Sequence, residues 1–133
     1  MTQEAFLATS PHDPAPARLN VLVVDDDPDS AESLAFCLQL EGRKIRYATS
    51  GEDALKLAET FVPDIALIDI FMPQVDGHAL AAELRRRFGK DIVVVAVTGA
   101  LKRVELGAFD FHLMKPINFG QLDALLTQRR HGA

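Results

Sequence analysis

Two short apolar runs end in aspartate. Val21-Leu22-Val23-Val24 leads into Asp25-Asp26, with Asp27 beyond, and Ile65-Ala66-Leu67-Ile68 leads into Asp69. A third run, Ile92 to Val97, stops at Thr98-Gly99, and a fourth, Phe109 to Met114, stops at Lys115-Pro116. If these runs are parallel strands of one sheet, they deliver three acids, a hydroxyl and an ammonium to one rim. Alone, each residue has a plain explanation: an Asp after a strand caps a helix, a Thr closes a turn, a Lys is solvated. Together the three acids and Lys115 leave two negative charges unbalanced, and crowded carboxylates take up protons unless something compensates them. One hard divalent cation would do so. An all-oxygen donor set favours magnesium, with manganese as a substitute, over zinc. The four histidines, His12, His78, His112 and His131, are scattered without ligand spacing. Magnesium held by carboxylates keeps positions open for phosphate oxygens. A neighbouring Asp can then attack phosphorus while cation, ammonium and hydroxyl neutralise the equatorial oxygens.

The elements that would position these groups are legible in the pattern. A short β-branched run such as Val21 to Val24 suits a strand buried on both faces. Asp27-Pro28 starts a helix, as N-cap and first helical residue, with Ala31, Leu34, Ala35 and Leu38 at helical spacing and Gly42 as its end. Lys44 to Ala48 has the mixed polarity of an edge strand. Ser50 and Asp53 form a capping signature ahead of Ala54, Leu57, Ala58 and Phe61, and Pro63 breaks that helix. A loop is predicted from Ile70 to Gly77, with Pro73 and Asp76-Gly77 as turn chemistry, and a helix from His78 to Phe88. A short helical stretch fills Leu101 to Leu106, and Asn118 with Gln121 caps a last helix carrying Phe119, Leu122, Leu125 and Leu126. Five strands alternating with helices predict a doubly wound α/β fold, with a five-stranded parallel sheet in the order 2-1-3-4-5. Ligands of such sheets sit beyond the carboxyl ends of the strands, where the order switches direction. Asp69, on the central strand, is the candidate nucleophile.

Composition sets the limits. The chain has 133 residues and a net charge of −5, which argues against a polyanion binder. Arg85-Arg86-Arg87 ends a helix, where cations suit the dipole, so it is read as structural and not as a nucleic-acid site. With 48% hydrophobic and 25% charged residues, the chain has the balance of a globular domain that holds its own core. The one cysteine, Cys37, excludes an internal disulfide and reads as an inert buried thiol. No apolar run approaches a membrane span, and Met1 to Ala8 lacks the basic residues of a secretory signal, so a cytoplasmic location is expected. Residues 1–18, with Pro11, Pro14 and Pro16, read as a flexible tail.

Five segments in order, Val21 to Pro28, Pro63 to Asp69, Met72-Pro73-Gln74-Val75-Asp76-Gly77, Val97-Thr98-Gly99 and Leu113-Met114-Lys115-Pro116, resemble the receiver domain of two-component response regulators. The resemblance covers about Asn20 to Arg130, and the receiver domain is expected over residues 19–130. It implies a flavodoxin-like fold and a phospho-accepting role in a phosphorelay. Asp69 would be the phospho-acceptor, with Asp25 and Asp26 as the magnesium-binding acid pair. The backbone carbonyl of Phe71 would be a further ligand, Thr98 the switch hydroxyl and Lys115 the phosphate contact, before a cis Lys115-Pro116 bond. Implied partners are a sensor histidine kinase or a His-containing phosphotransfer protein, and a downstream protein target. Only residues 131–133 follow, so a stand-alone receiver without an output domain is expected, signalling by protein contact and not acting as an enzyme.

Some positions depart from the resemblance. Thr98 and Lys115 stand only 17 positions apart, which implies a shortened fourth helix and a remodelled segment over 99–108. His112 takes a place where many receivers carry a switching Tyr or Phe, and reads equally as a partly buried polar side chain. Phe71 and Ala100 cannot polarise an attacking water, so a long-lived acyl phosphate is expected. Two other readings stay open: a degenerate receiver that binds without phosphorylation, and a small magnesium-dependent phosphatase of the haloacid dehalogenase type.

Overall fold

The computed structural model describes residues 19–39, 43–70, 76–99, 106–118 and 120–125. Five strands form one parallel sheet: β1 (Asn20–Val24), β2 (Lys44–Ala48), β3 (Ile65–Asp69), β4 (Val93–Thr98) and β5 (Phe111–Met114). Their spatial order is β2-β1-β3-β4-β5, as the alternation of strands and helices predicts. Helices α1 (Pro28–Gln39), α2 (Gly51–Thr60) and α3 (Gly77–Phe88) connect them, and a 3-10 turn (Gly89–Asp91) precedes β4. The expected tail, the helical stretch from Leu101 and the Phe71 carbonyl lie outside the described residues.

Because strand side chains alternate between faces, each strand feeds two cores. Val21, Val23, Ile65, Leu67, Val95, Val97 and Leu113 pack under Ala31, Ala35 and Leu38 of α1 and under Leu122 of the last helix, residues 120–125. Leu22, Val24, Ala66, Ile68, Val94 and Ala96 pack against Ala54 and Ala58 of α2 and Leu80, Ala81 and Leu84 of α3. Helices therefore cover both faces, β3 is buried throughout, and β1 and β4 are buried after their first residues. At the edge, β2 buries only Ile45 and Ala48.

The caps are where the sequence places them. The Asp27 carboxylate accepts from the Asp29 N–H and the Ser30 hydroxyl, and Ser50 Oγ accepts from the Asp53 N–H at 3.1 Å. Asn118 Oδ1 accepts from the Gln121 N–H at 3.1 Å. Three expectations need correction. Asp76 is an N-cap for α3, its carboxylate accepting from the N–H groups of His78 and Ala79, so the helix opens at Gly77. That glycine lies against the end of β3, where an added Cβ would stand 3.2 Å from Ile70 Cα. The fifth strand begins at Phe111, because Phe109 closes a turn on Leu106 through Gly107, whose φ is +52°, and buries its ring in the α3-side core. Cys37 is exposed. It falls between Ala35 and Leu38, off the stripe that α1 turns inward.

Candidate phosphoryl-accepting site

The direction of winding reverses between β1 and β3, and the carboxyl ends of these neighbours are the crevice where such sheets bind ligands. Val24 of β1 is in register with Ile68 of β3, so Asp25 and Asp69 emerge side by side. Both are buried, at 6% and 9% exposure. Asp69 pairs in turn with Val97 of β4, which puts Thr98 one step further along the rim, and Thr98 is 1% exposed. Thr98 pairs with Met114 of β5, and Lys115 follows. Its backbone N–H donates to the Thr98 carbonyl at 2.7 Å, and the Lys115-Pro116 bond is cis.

Lys115 Nζ lies 3.0 Å from Asp69 Oδ2 and 3.3 Å from Asp25 Oδ2, so one ammonium bridges two buried carboxylates. Burial works against its charge. The hydrogen bond and charge of Asp69, joined by those of Asp25, outweigh that and hold its pKa above the ordinary lysine value. The other oxygen of Asp25 accepts from the Asp27 N–H at 3.0 Å. Sequence reasoning missed this turn, although consecutive aspartates before Pro28 carry the signal for it.

Asp25, Asp69, Thr98 and Lys115 thus reach the rim together. Asp26 is half-buried and makes no hydrogen bond or ion pair with another described residue. Among the described residues no three Asp, Glu, His or Cys side chains group tightly enough to hold an ion by themselves. The donor chemistry still fits a hard cation. Two buried acids share one ammonium, which leaves a net negative charge, and all the donors are oxygens. His112 is exposed on β5, not partly buried. Cys37 lines a groove of about 580 Å³ between α1 and the turn after β5, together with Asp25, Ser33, Leu34, Lys115 and Pro116.

Comparison with known proteins agrees with this arrangement. Residues 21–127 match the response regulator receiver domain. The chain is 32% identical over 118 residues to an uncharacterised 14.6 kDa protein of Leptolyngbya boryana, covering 84% of this chain and 90% of that one. It is 38% identical over 116 residues to the positive alginate biosynthesis regulatory protein of Pseudomonas aeruginosa, covering 83% of this chain and 46% of that one, so it spans under half of that relative. Among solved structures it is similar to the response regulator TrrA of Thermotoga maritima in complex with Mg2+-BeF (34% identity, TM-score 0.73, 84% of this chain and 98% of that one). TrrA in complex with the histidine kinase ThkA matches at 33% identity with a TM-score of 0.72, covering 84% of this chain and 97% of that one. A sheet wound in the order 2-1-3-4-5, acids and a lysine at its switch point, and a match over residues 21–127 lead to one conclusion: the chain belongs to the response regulator receiver domain family and is a phospho-accepting receiver of two-component signalling.

Proposed function

We propose that Asp69 is the phospho-acceptor and that a phosphohistidine of a sensor kinase or phosphotransfer protein is the donor. The observation that carries this is the Lys115 ammonium shared by two buried carboxylates at the switch point. A carboxylate oxygen of Asp69 attacks phosphorus. The nitrogen–phosphorus bond breaks, its electron pair stays on the imidazole, and that nitrogen takes a proton from water. Lys115 stands beside the attacking oxygen, positioned to balance charge on the phosphoryl oxygens. The Thr98 hydroxyl, one step along the rim, serves as the donor that follows the new phosphate. Asp25, Asp26, Asp69 and the Phe71 carbonyl are assigned to Mg2+, with Mn2+ as a substitute. That ion would supply Lewis-acid neutralisation of the phosphoryl oxygens. The Mg2+-BeF complex of TrrA and its complex with ThkA support both the ion and the kinase partner.

On this reading phosphorylation is stoichiometric and without catalytic turnover, output passes to a downstream protein and not to nucleic acid, and the receiver occupies residues 19–130 in the cytoplasm. Among the described residues no helix is long and apolar enough to cross a membrane. Intact mass after treatment with acetyl phosphate and Mg2+ tests the assignment. One added phosphoryl group on the native protein, absent from Asp69→Asn, is expected. Equal labelling of both would overturn it, and repeated turnover of a generic phosphate ester would favour a phosphatase.

A further inference from the structure

Lys115 reaches Asp69 only because β5 sits in one register against β4. That register is Val95 with Phe111, Ala96 with His112, Val97 with Leu113 and Thr98 with Met114. A slip of one residue would move the strand about 3.3 Å and turn every side chain to the opposite face. Register is ordinarily enforced by a buried face. Here that face is short, since β5 has four residues, of which Leu113 is buried and Phe111 half-buried against the same core. At the site end the Lys115 N–H donates to the Thr98 carbonyl at 2.7 Å, and a second tie stands at the far end.

Arg85, in the last turn of α3, donates from Nη1 to the carbonyls of Gly89 at 2.7 Å and Ile92 at 2.8 Å. From Nη2 it donates to the Ala108 carbonyl at 3.3 Å and pairs with the Asp110 carboxylate. Asp110 completes the link. Its Oδ2 accepts from the Val94 N–H at 2.8 Å, and its own N–H donates to the Val94 carbonyl at 2.7 Å. One guanidinium therefore ties the end of α3, the start of β4 and the residue just before β5. A planar fork of donors suits such a junction, and a lysine could not reproduce it. Arg86 and Arg87 pair with Glu83 instead, so the three arginines do different work.

We propose that Arg85 and Asp110 are a register clamp, positioning residues that act through β5 to set Lys115 against Asp69. This rests on the reading of Asp69 as the acceptor. Two measurements test it. The first is nuclear Overhauser contact between Val97 and Leu113 and between Thr98 and Met114, in protein never given a phosphodonor. In Arg85→Gln these contacts weaken or move by one residue. The second is the labelling rate with acetyl phosphate and Mg2+. Misplacing a catalytic group by about 1 Å costs up to about 100-fold, so a loosened strand should slow labelling about tenfold. In a Lys115→Ala background, adding Arg85→Gln should change the rate less than about twofold, because the group it positions is gone. A folded Arg85→Gln with native contacts and rate would overturn the proposal. So would an equal fold loss in both backgrounds, the mark of a general structural role. Should Arg85→Gln fail to fold, Asp110→Asn keeps an acceptor for Val94, removes the charge and is read in the same way. If native protein takes no phosphate on Asp69, the site assignment fails by itself, while the strand contacts still decide the clamp.

Discussion

Replacing Lys115 by methionine keeps most of the aliphatic stem and removes the charge that two buried acids share. At the observed 3.0 and 3.3 Å, Coulomb's law with an effective dielectric of 20 gives about 5 kcal/mol of gross attraction to each carboxylate. The Lys115 side chain is 37% exposed, so solvent screening and the desolvation already spent on the ammonium cancel most of that, leaving about 2 kcal/mol net. In chelator at neutral pH, Lys115→Met should therefore lower the urea midpoint by about 1 M at an unchanged slope. The sign of the pH dependence follows from the raised pKa. The native advantage is complete below the ordinary lysine value of 10.5 and is lost as pH rises through the higher folded-state value. Millimolar Mg2+ should raise the midpoint of the variant more than that of the native protein, since binding to the folded state alone stabilises it and the variant no longer has an ammonium on the same oxygens. A variant as stable as the native protein in chelator would refute the reasoning, because it would mean the two acids need no cation beside them.

Three other outcomes are expected. Gly89 ends α3 at φ +61°, where an added Cβ meets nothing within 4 Å, so Gly89→Ala should cost about 1–2 kcal/mol in urea unfolding from backbone strain alone; an unchanged midpoint would contradict this. The Glu83 carboxyl is held down to about 2 by its hydrogen bond to Arg86 and then by Arg87, so its contribution is present above the ordinary 4.5 and fades as pH falls toward 2. Native protein and Glu83→Gln should converge in thermal midpoint over that interval, and high salt should shrink the small difference at neutral pH. Cys37 should react with a thiol reagent in native protein about as fast as in urea, whereas strong protection by folding would show that α1 hides it.

The order of the sheet and the rim were legible because they depend on local signals. Apolar runs of strand length, caps such as Ser50 and Asp27, and the residues that close each run are all written within a few positions. Cys37 was misread because a helical stripe is a matter of angle, and one position beside Leu38 is enough to face solvent. The start of β5 was misplaced because an apolar Phe109 serves a turn as readily as a strand. Arg85 was read only through its own helix. Its partners lie 4, 7, 23 and 25 positions away, and no short-range pattern connects an arginine to an aspartate so distant. Asp26 has the right neighbours in sequence, yet only Asp25 turns to Lys115.

The link between the Thr98 carbonyl and the Lys115 N–H, 2.7 Å long, joins the main chains that carry the hydroxyl and the ammonium. That bond extends the ladder between β4 and β5 by one step, so the two groups share a common footing while each side chain keeps its own torsions. A change that displaces either backbone therefore disturbs the mounting of both groups, whereas a side-chain substitution at one leaves the bond to the other in place.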